Sequence, residues 1–296
     1  MTVVNPSINI SIGNYGEEYI TSFHNYFSQN EPFYKEYAAF YKCRMDKDGI
    51  FFSQFNKEPK KHEINIEQGI ERLELQKILN QRDCQYFLKN TLSKSYRDHV
   101  NLVKLLKSNI NFKLVNINLI ISSYEDNTSL LLNELVKLLN DLQESGTISN
   151  ISVKTFVIIS KKQDLLNTEE LLLTYQNLEE IKTIQKKYNP VFHNIIFIDT
   201  LNTDTVFLNI DDTSIGFVLN EFVTYLMTNH YTMIGNLPNA EYISLGLGAL
   251  IFDNNYFEKY FKYKIIDDLG NIEEVYKPEN QINTNDYDRI RNNILL

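Results

Sequence analysis

Residues 113–129 read KLVNINLIISSYEDNTS, and the change of character inside this stretch decides the fold class. Val115, Ile117 and Leu119 alternate with Asn116 and Asn118, and the run closes on the apolar Leu119-Ile120-Ile121. The pattern predicts a strand buried on at least one face along most of its length. The chain then turns polar at Ser122-Ser123-Tyr124-Glu125-Asp126-Asn127-Thr128-Ser129, and LLLNELVKLLNDL follows with helical periodicity. Strand, polar turn and helix start in succession mark the place where an open α/β sheet puts its ligand, because unpaired backbone N–H groups and the helix dipole face the end of the strand there.

The same alternation of segments runs through the chain. SINISIG, residues 7–13, is a short strand; Gly13-Asn14-Tyr15-Gly16 turns it into a helix with Tyr19, Ile20, Phe23, Tyr26 and Phe27 at helical spacing. Residues 37–55 read as a hairpin turning at Asp46-Lys47-Asp48-Gly49, residues 58–63 as a charged loop, and residues 64–108 as helical. Glu144-Ser145-Gly146 stops the helix after the central strand. Residues 151–159 and 194–199 are further strands around a helix at 168–188, with another strand at 206–210. Asp211-Asp212-Thr213-Ser214 caps the helix IGFVLNEFVTYLM; residues 241–252 are a bent strand or strand pair and 254–265 a helix. Strands alternating with helices of this length predict an α/β fold, a layered and mainly parallel sheet flanked by helices. One domain over residues 1–266, with a helical insertion at about 64–108, and a polar C-terminal hairpin or tail over 267–296 is the expected organisation.

Composition narrows the function. Of 296 residues 43% are hydrophobic and 23% charged, as in an ordinary globular chain, and the net charge of −9 argues against nucleic acid or an anionic membrane as partner. No apolar stretch is long enough for membrane insertion, and MTVVNPSINISIG lacks the basic start of a signal peptide. Cys43 and Cys84 have no metal-like spacing and read as reduced thiols, so a cytoplasmic location is expected. The five histidines are scattered, and no nucleophile elbow, HExxH helix or Walker loop is present.

Two stretches are candidates for a site. Gly13-x-x-Gly16 is a shortened phosphate-loop pattern, with Tyr15 and Glu17 where a phosphate needs bare amides. In residues 122–129, Ser122, Ser123, Thr128 and Ser129 can donate to an anion while Glu125 and Asp126 repel one unless a metal bridges them, and Asp126 or Asn127 is placed to cap the following helix. Asp199, closing a buried strand, and Asp211-Asp212, before a helix, are of a type that binds a ribose or Mg²⁺, although turn and cap duty is commoner at such positions.

In order, INISIGNYG, NINLIISSYEDNTSLLLNELVKLL, YQNLEEIKTIQKKYNPVFHNIIFIDTLN, DDTSIGFVLNEFVTYLM and AEYISLGLGALIF with NNYFEKYFKYKI resemble successive segments of the tubulin and bacterial division-tubulin superfamily, and more closely its divergent bacterial tubulin-like members. The resemblance implies a Rossmann-type nucleotide-binding architecture binding GTP with Mg²⁺. Gly13, Gly16, Ser123, Thr128 and Ser129 would then line the phosphates, Asp199 approach the ribose or metal, and Asn220 on the central helix read the base. Where the family has a GGTGSG-type loop this chain has SYEDNTS, and residues 229–240, where the family's hydrolytic acids lie, hold no Asp or Glu. Without glycines the backbone cannot wrap closely around phosphates. The expectation is a subunit with no catalytic residue, no cofactor and no metal, acting as a structural, protein-binding component of a larger cytoplasmic assembly through self-association or a multi-subunit complex. A GTP-binding GTPase with an atypical phosphate loop is the alternative. A tubulin-like sheet would bring Asn14, Tyr15, Ser123, Glu125 and Asp199 to one edge, with Tyr15 and Tyr124 filling the nucleotide's volume and Glu125 making the edge acidic.

Overall fold

The computed structural model describes residues 4–32, 34–64, 66, 71–106, 112, 114–159, 168–188, 192–199, 212–227 and 242–246. In chain order the elements are β1 (Ser7–Ile12), α1 (Gly13–Asn30), β2 (Ala38–Asp46), β3 (Gly49–Gln54), β4 (Lys60–Glu63), α2 (Arg72–Leu79), α3 (Arg82–Leu106), β5 (Val115–Ser122), α4 (Thr128–Glu144), β6 (Ile151–Ile158), α5 (Thr168–Lys187), β7 (Phe192–Asp199), α6 (Asp212–Met227) and β8 (Tyr242–Gly246). One sheet runs β4-β3-β2-β1-β5-β6-β7-β8. Strand β1 pairs in parallel with β2 and β5, β5 with β6, and β6 with β7; β3 lies antiparallel to both β2 and β4. The expected layered, mainly parallel α/β fold is therefore the fold observed. The chain divides into two compact units, residues 1–200 with 209–245, and residues 201–208 with 246–296.

Both faces of the parallel strands are covered, which is why β5 and β6 are buried at every position. On one face Ile8, Ile10, Ile12, Val115, Ile117, Leu119, Ile121 and Val153 pack with Leu75 and Leu79 of α2, Leu88 and Leu92 of α3, and Leu131, Leu135 and Leu138 of α4. On the other lie α1, through Phe23 against Phe40, and α6, through Phe222 against Phe156. Helices α1 and α6 approach closely where a Cβ on Gly216 would sit 2.6 Å from Ser22 Oγ.

The polar residues of the alternating strands do not face water. Ser7 aligns with Asn116 and Ser152, and Asn9 with Asn118 and Lys154, all of them buried. Asn118 Nδ2 donates to Asn9 Oδ1 (2.8 Å) and to Ser7 Oγ (3.0 Å), and Lys154 Nζ to Asn116 Oδ1 (3.0 Å) and Ser152 Oγ (2.8 Å). Mutual hydrogen bonding lets this layer sit in the interior.

Two expectations change. The charged loop at 58–63 contains β4, an edge strand whose lysines and glutamate keep its outer side from pairing with other chains. Neither Asp126 nor Asn127 caps α4: Asn127, at φ 62°, sits at the N-cap with no side-chain bond to the helix, and its amide turns to Asp126 (2.9 Å). The stop at Gly146 is as expected, with φ 70° and its N–H on Gln143 O. Within 241–252 only β8 is described; the expected strand at 206–210, the helix at 254–265 and the tail at 267–296 lie outside the described residues. No described helix is long and apolar enough to cross a membrane, and no described group of His, Cys, Asp and Glu could hold a metal. Cys43 and Cys84 are free thiols in the core; burial pushes both up, Cys84 to about 12, which leaves them unreactive.

Candidate functional site

Strand β1 leads through α1 to β2 on one side, while β5 on its other side leads through α4 to β6. The loops after β1 and β5 thus diverge at a topological switch point, where an open parallel sheet has its natural crevice. Residues 13–16 and 122–129 meet there.

Helix α1 begins without a side-chain cap and without an acidic residue in its first turn, so its leading N–H groups need an acceptor from elsewhere. Glu125 supplies it. Its Oε1 accepts from Asn14 N–H at 2.6 Å and its Oε2 from Tyr15 N–H at 3.1 Å. Gly13, at φ 86°, makes the approach possible: a Cβ there would fall 2.4 Å from Glu125 Oε2. Gly16 serves packing, since a Cβ would meet Ile120 O at 3.0 Å and Ser11 Cβ at 3.3 Å. The two glycines thus do what a phosphate-loop pair does, one admitting an anion and the other seating the helix, but the anion is the chain's own carboxylate. Burial pushes the Glu125 carboxyl above its ordinary value, and the two backbone N–H groups with the Asn14 side chain partly reverse this. Glu17, which stands where a phosphate would need a bare amide, is engaged by Lys42 at 2.8 Å and Arg44 at 3.9 Å.

The hydroxyls of the second loop turn back into the chain. Thr128 Oγ1 donates to Ser122 O and Glu125 O, and Ser123 Oγ to Ile159 O. Ser129 Oγ donates to Asn177 Oδ1 (2.6 Å), whose Nδ2 donates to Ser123 O (2.8 Å) and Glu125 O (3.0 Å). Arg72 donates to Ser129 Oγ and Glu180, and lies 3.9 Å from Asp126. Above the loop the buried Tyr124 and Tyr19 hydroxyls bond to each other, and the Tyr15 ring meets Tyr124 edge-on at 5.1 Å.

Of the sequence candidates, Gly13, Gly16, Ser123, Thr128 and Ser129 come together at this edge, and Asp199, the last residue of β7, ends at the same edge of the sheet. Asn220 does not join them. Its amide engages Glu221 and Glu31, the latter just past the far end of α1. Asn177 and Arg72 were not candidates. The one sequence signal for Asn177 is an asparagine in the middle of a helix, where it is unfavourable unless its side chain has a task. Replacing Asn177 by Ala is expected to cost about 2 kcal/mol, because two loop carbonyls and Ser129 lose a buried partner; urea unfolding checks this, and an unchanged midpoint would remove Asn177 from the loop's support.

Chemically the edge offers a carboxylate already bonded, hydroxyls already bonded and an arginine held by two carboxylates. Among the described residues it holds no nucleophile paired with a base. No protein-family model matches the chain, and no characterised protein shows significant sequence similarity to it.

Proposed function

We propose that this chain is a non-catalytic, tubulin-like subunit that acts without nucleotide, as a structural, protein-binding component of a larger assembly. One observation carries the reading: the Glu125 carboxylate holds the amides of Asn14 and Tyr15 that a phosphate would need. A phosphate within about 5 Å of that carboxylate is repelled by about 3 kcal/mol at an effective dielectric near 20. Hydroxyl bonds worth about 1 kcal/mol each do not offset this, and those of Ser123, Thr128 and Ser129 are already made within the chain. The tubulin-like part of the reading is supported by the run β1-β5-β6-β7 of parallel neighbours and by α6 lying against α1. Partner binding is supported by Leu102, Leu105 and Leu106, exposed at i, i+3 and i+4 on the last turns of α3.

The pure protein is expected to turn over neither GTP nor ATP, and to melt at the same temperature with and without millimolar GTP and Mg²⁺, since a ligand bound only to the folded state must raise the melting point. Sedimentation over a range of concentrations should show any self-association to be equal with and without GTP. A nucleotide-dependent shift abolished by Thr128→Ala with Ser129→Ala would overturn the proposal in favour of the GTP-binding alternative.

A further inference from the structure

Two consecutive residues of the loop before α4, Tyr124 and Glu125, clamp the first two turns of α1. Glu125 takes the amides of Asn14 and Tyr15, the Tyr124 hydroxyl bonds that of Tyr19, and the Tyr15 ring leans on Tyr124. The residues joined are 110 and 111 positions apart for the carboxylate and 105 for the hydroxyls, so the clamp ties together the two loops of the switch point. In a phosphate-binding fold of this kind a bound anion makes that tie.

We infer that Tyr124-Glu125 is an intramolecular latch: the Glu125 carboxylate stands where a ligand anion would join the two loops, so their relative position is set by the chain itself, and release of Glu125 is the step that can rearrange this edge. The inference rests on the reading of this edge as nucleotide-independent and adds the part that moves. Three features make the contact a latch and not merely a packed side chain. Gly13 leaves a cradle that any Cβ would fill, shaped around the carboxylate. Asn14 is exposed and Tyr15 and Glu125 are half-buried, so the carboxylate's contact lies at the rim of the core, where it can open without unfolding the core. The carboxylate is held by two backbone donors while burial opposes its charge, so opposing forces act on the closed contact.

The test is amide hydrogen exchange at Asn14 and Tyr15 in the full chain. In the wild type both amides should be protected, and millimolar inorganic phosphate should leave them unchanged. In Glu125→Ala they should exchange about tenfold faster or more, and phosphate should restore the protection. Asp126→Ala, which removes the neighbouring exposed carboxylate, should behave as wild type. If Glu125→Ala does not fold, Glu125→Gln takes its place: its amide has one oxygen for two donors, so one of the two amides should lose protection. Equal exchange in wild type and the Glu125 variants overturns the latch. So does phosphate protection of the wild-type amides, because they would then be open to an ion. Neither outcome measures GTP binding by the wild type, so failure here is separable from failure of the proposed function.

Discussion

Replacing Lys154 by Met is expected to raise stability at pH 7 by about 2 kcal/mol and to abolish most of the rise in stability that the wild type shows between pH 7 and 9. Lys154 lies in the interior of β6, 4% exposed, with Asn116 Oδ1 and Ser152 Oγ as its acceptors. Neither carries a charge. Burial holds the amine down at about 7, from an ordinary value of 10.5. Because the folded value is the lower one, the unfolded chain binds a proton that the folded chain has given up wherever the pH lies between the two. Stability therefore rises with pH through that window, and below about pH 7 the full cost of the buried charge is present. At about 1.4 kcal/mol per pH unit, the lysine contributes a rise of about 2.5 kcal/mol from pH 7 to 9. Methionine fills nearly the same volume without a charge, but it leaves Asn116 and Ser152 short of a donor, which reduces the absolute gain. Urea unfolding of both proteins at pH 7, 8 and 9 decides the matter. The two curves should converge as the pH rises, and parallel curves would mean that Lys154 is charged and solvated.

Gly13→Ala is expected to destabilise by about 2–3 kcal/mol, and its effect should depend on Glu125. At φ 86° an alanine bears a backbone cost of about 1–2 kcal/mol. Its Cβ also falls on the carboxylate, 2.4 Å from Oε2. A carboxylate at the end of a side chain can swing aside, but only by leaving the amides of Asn14 and Tyr15. The rest of the cost is therefore the lost latch. In a Glu125→Ala background that part is already gone, and Gly13→Ala should cost only its backbone strain. A double-mutant cycle by urea unfolding reads the coupling; strictly additive effects would mean that Gly13 and Glu125 do not meet.

The sequence was legible where local chemistry decides the structure. The strands around 115–121 and 151–159 read from apolar residues that alternate with polar ones or run together, and both strands prove buried at every position. The hairpin read from its turn, where Gly49 takes φ 137°. Strand β4 was hidden because an edge strand is kept polar, and KKHE looks like a loop. The position of the site was legible from strand, turn and helix order. Its occupant was not. Glu125 read as a residue repelling ligands because a carboxylate beside a helix start has two opposite meanings, and the amides that settle which applies lie 110 and 111 residues away. Arg72 and Asn177 were hidden for the same reason: they reach Ser129 from 57 and 48 residues away, and no local pattern encodes such contacts. The buried layer of Asn9, Asn118 and Lys154 likewise follows from strand register and not from any one strand.

A crystal structure of the protein soaked in millimolar GTP and Mg²⁺ tests the central claim most directly. The expected result is Glu125 Oε1 and Oε2 still on the amides of Asn14 and Tyr15, with Tyr15 and Tyr124 in contact and no nucleotide at the end of β5. A phosphate held by the backbone amides of residues 125–129, with Glu125 turned away, would contradict it.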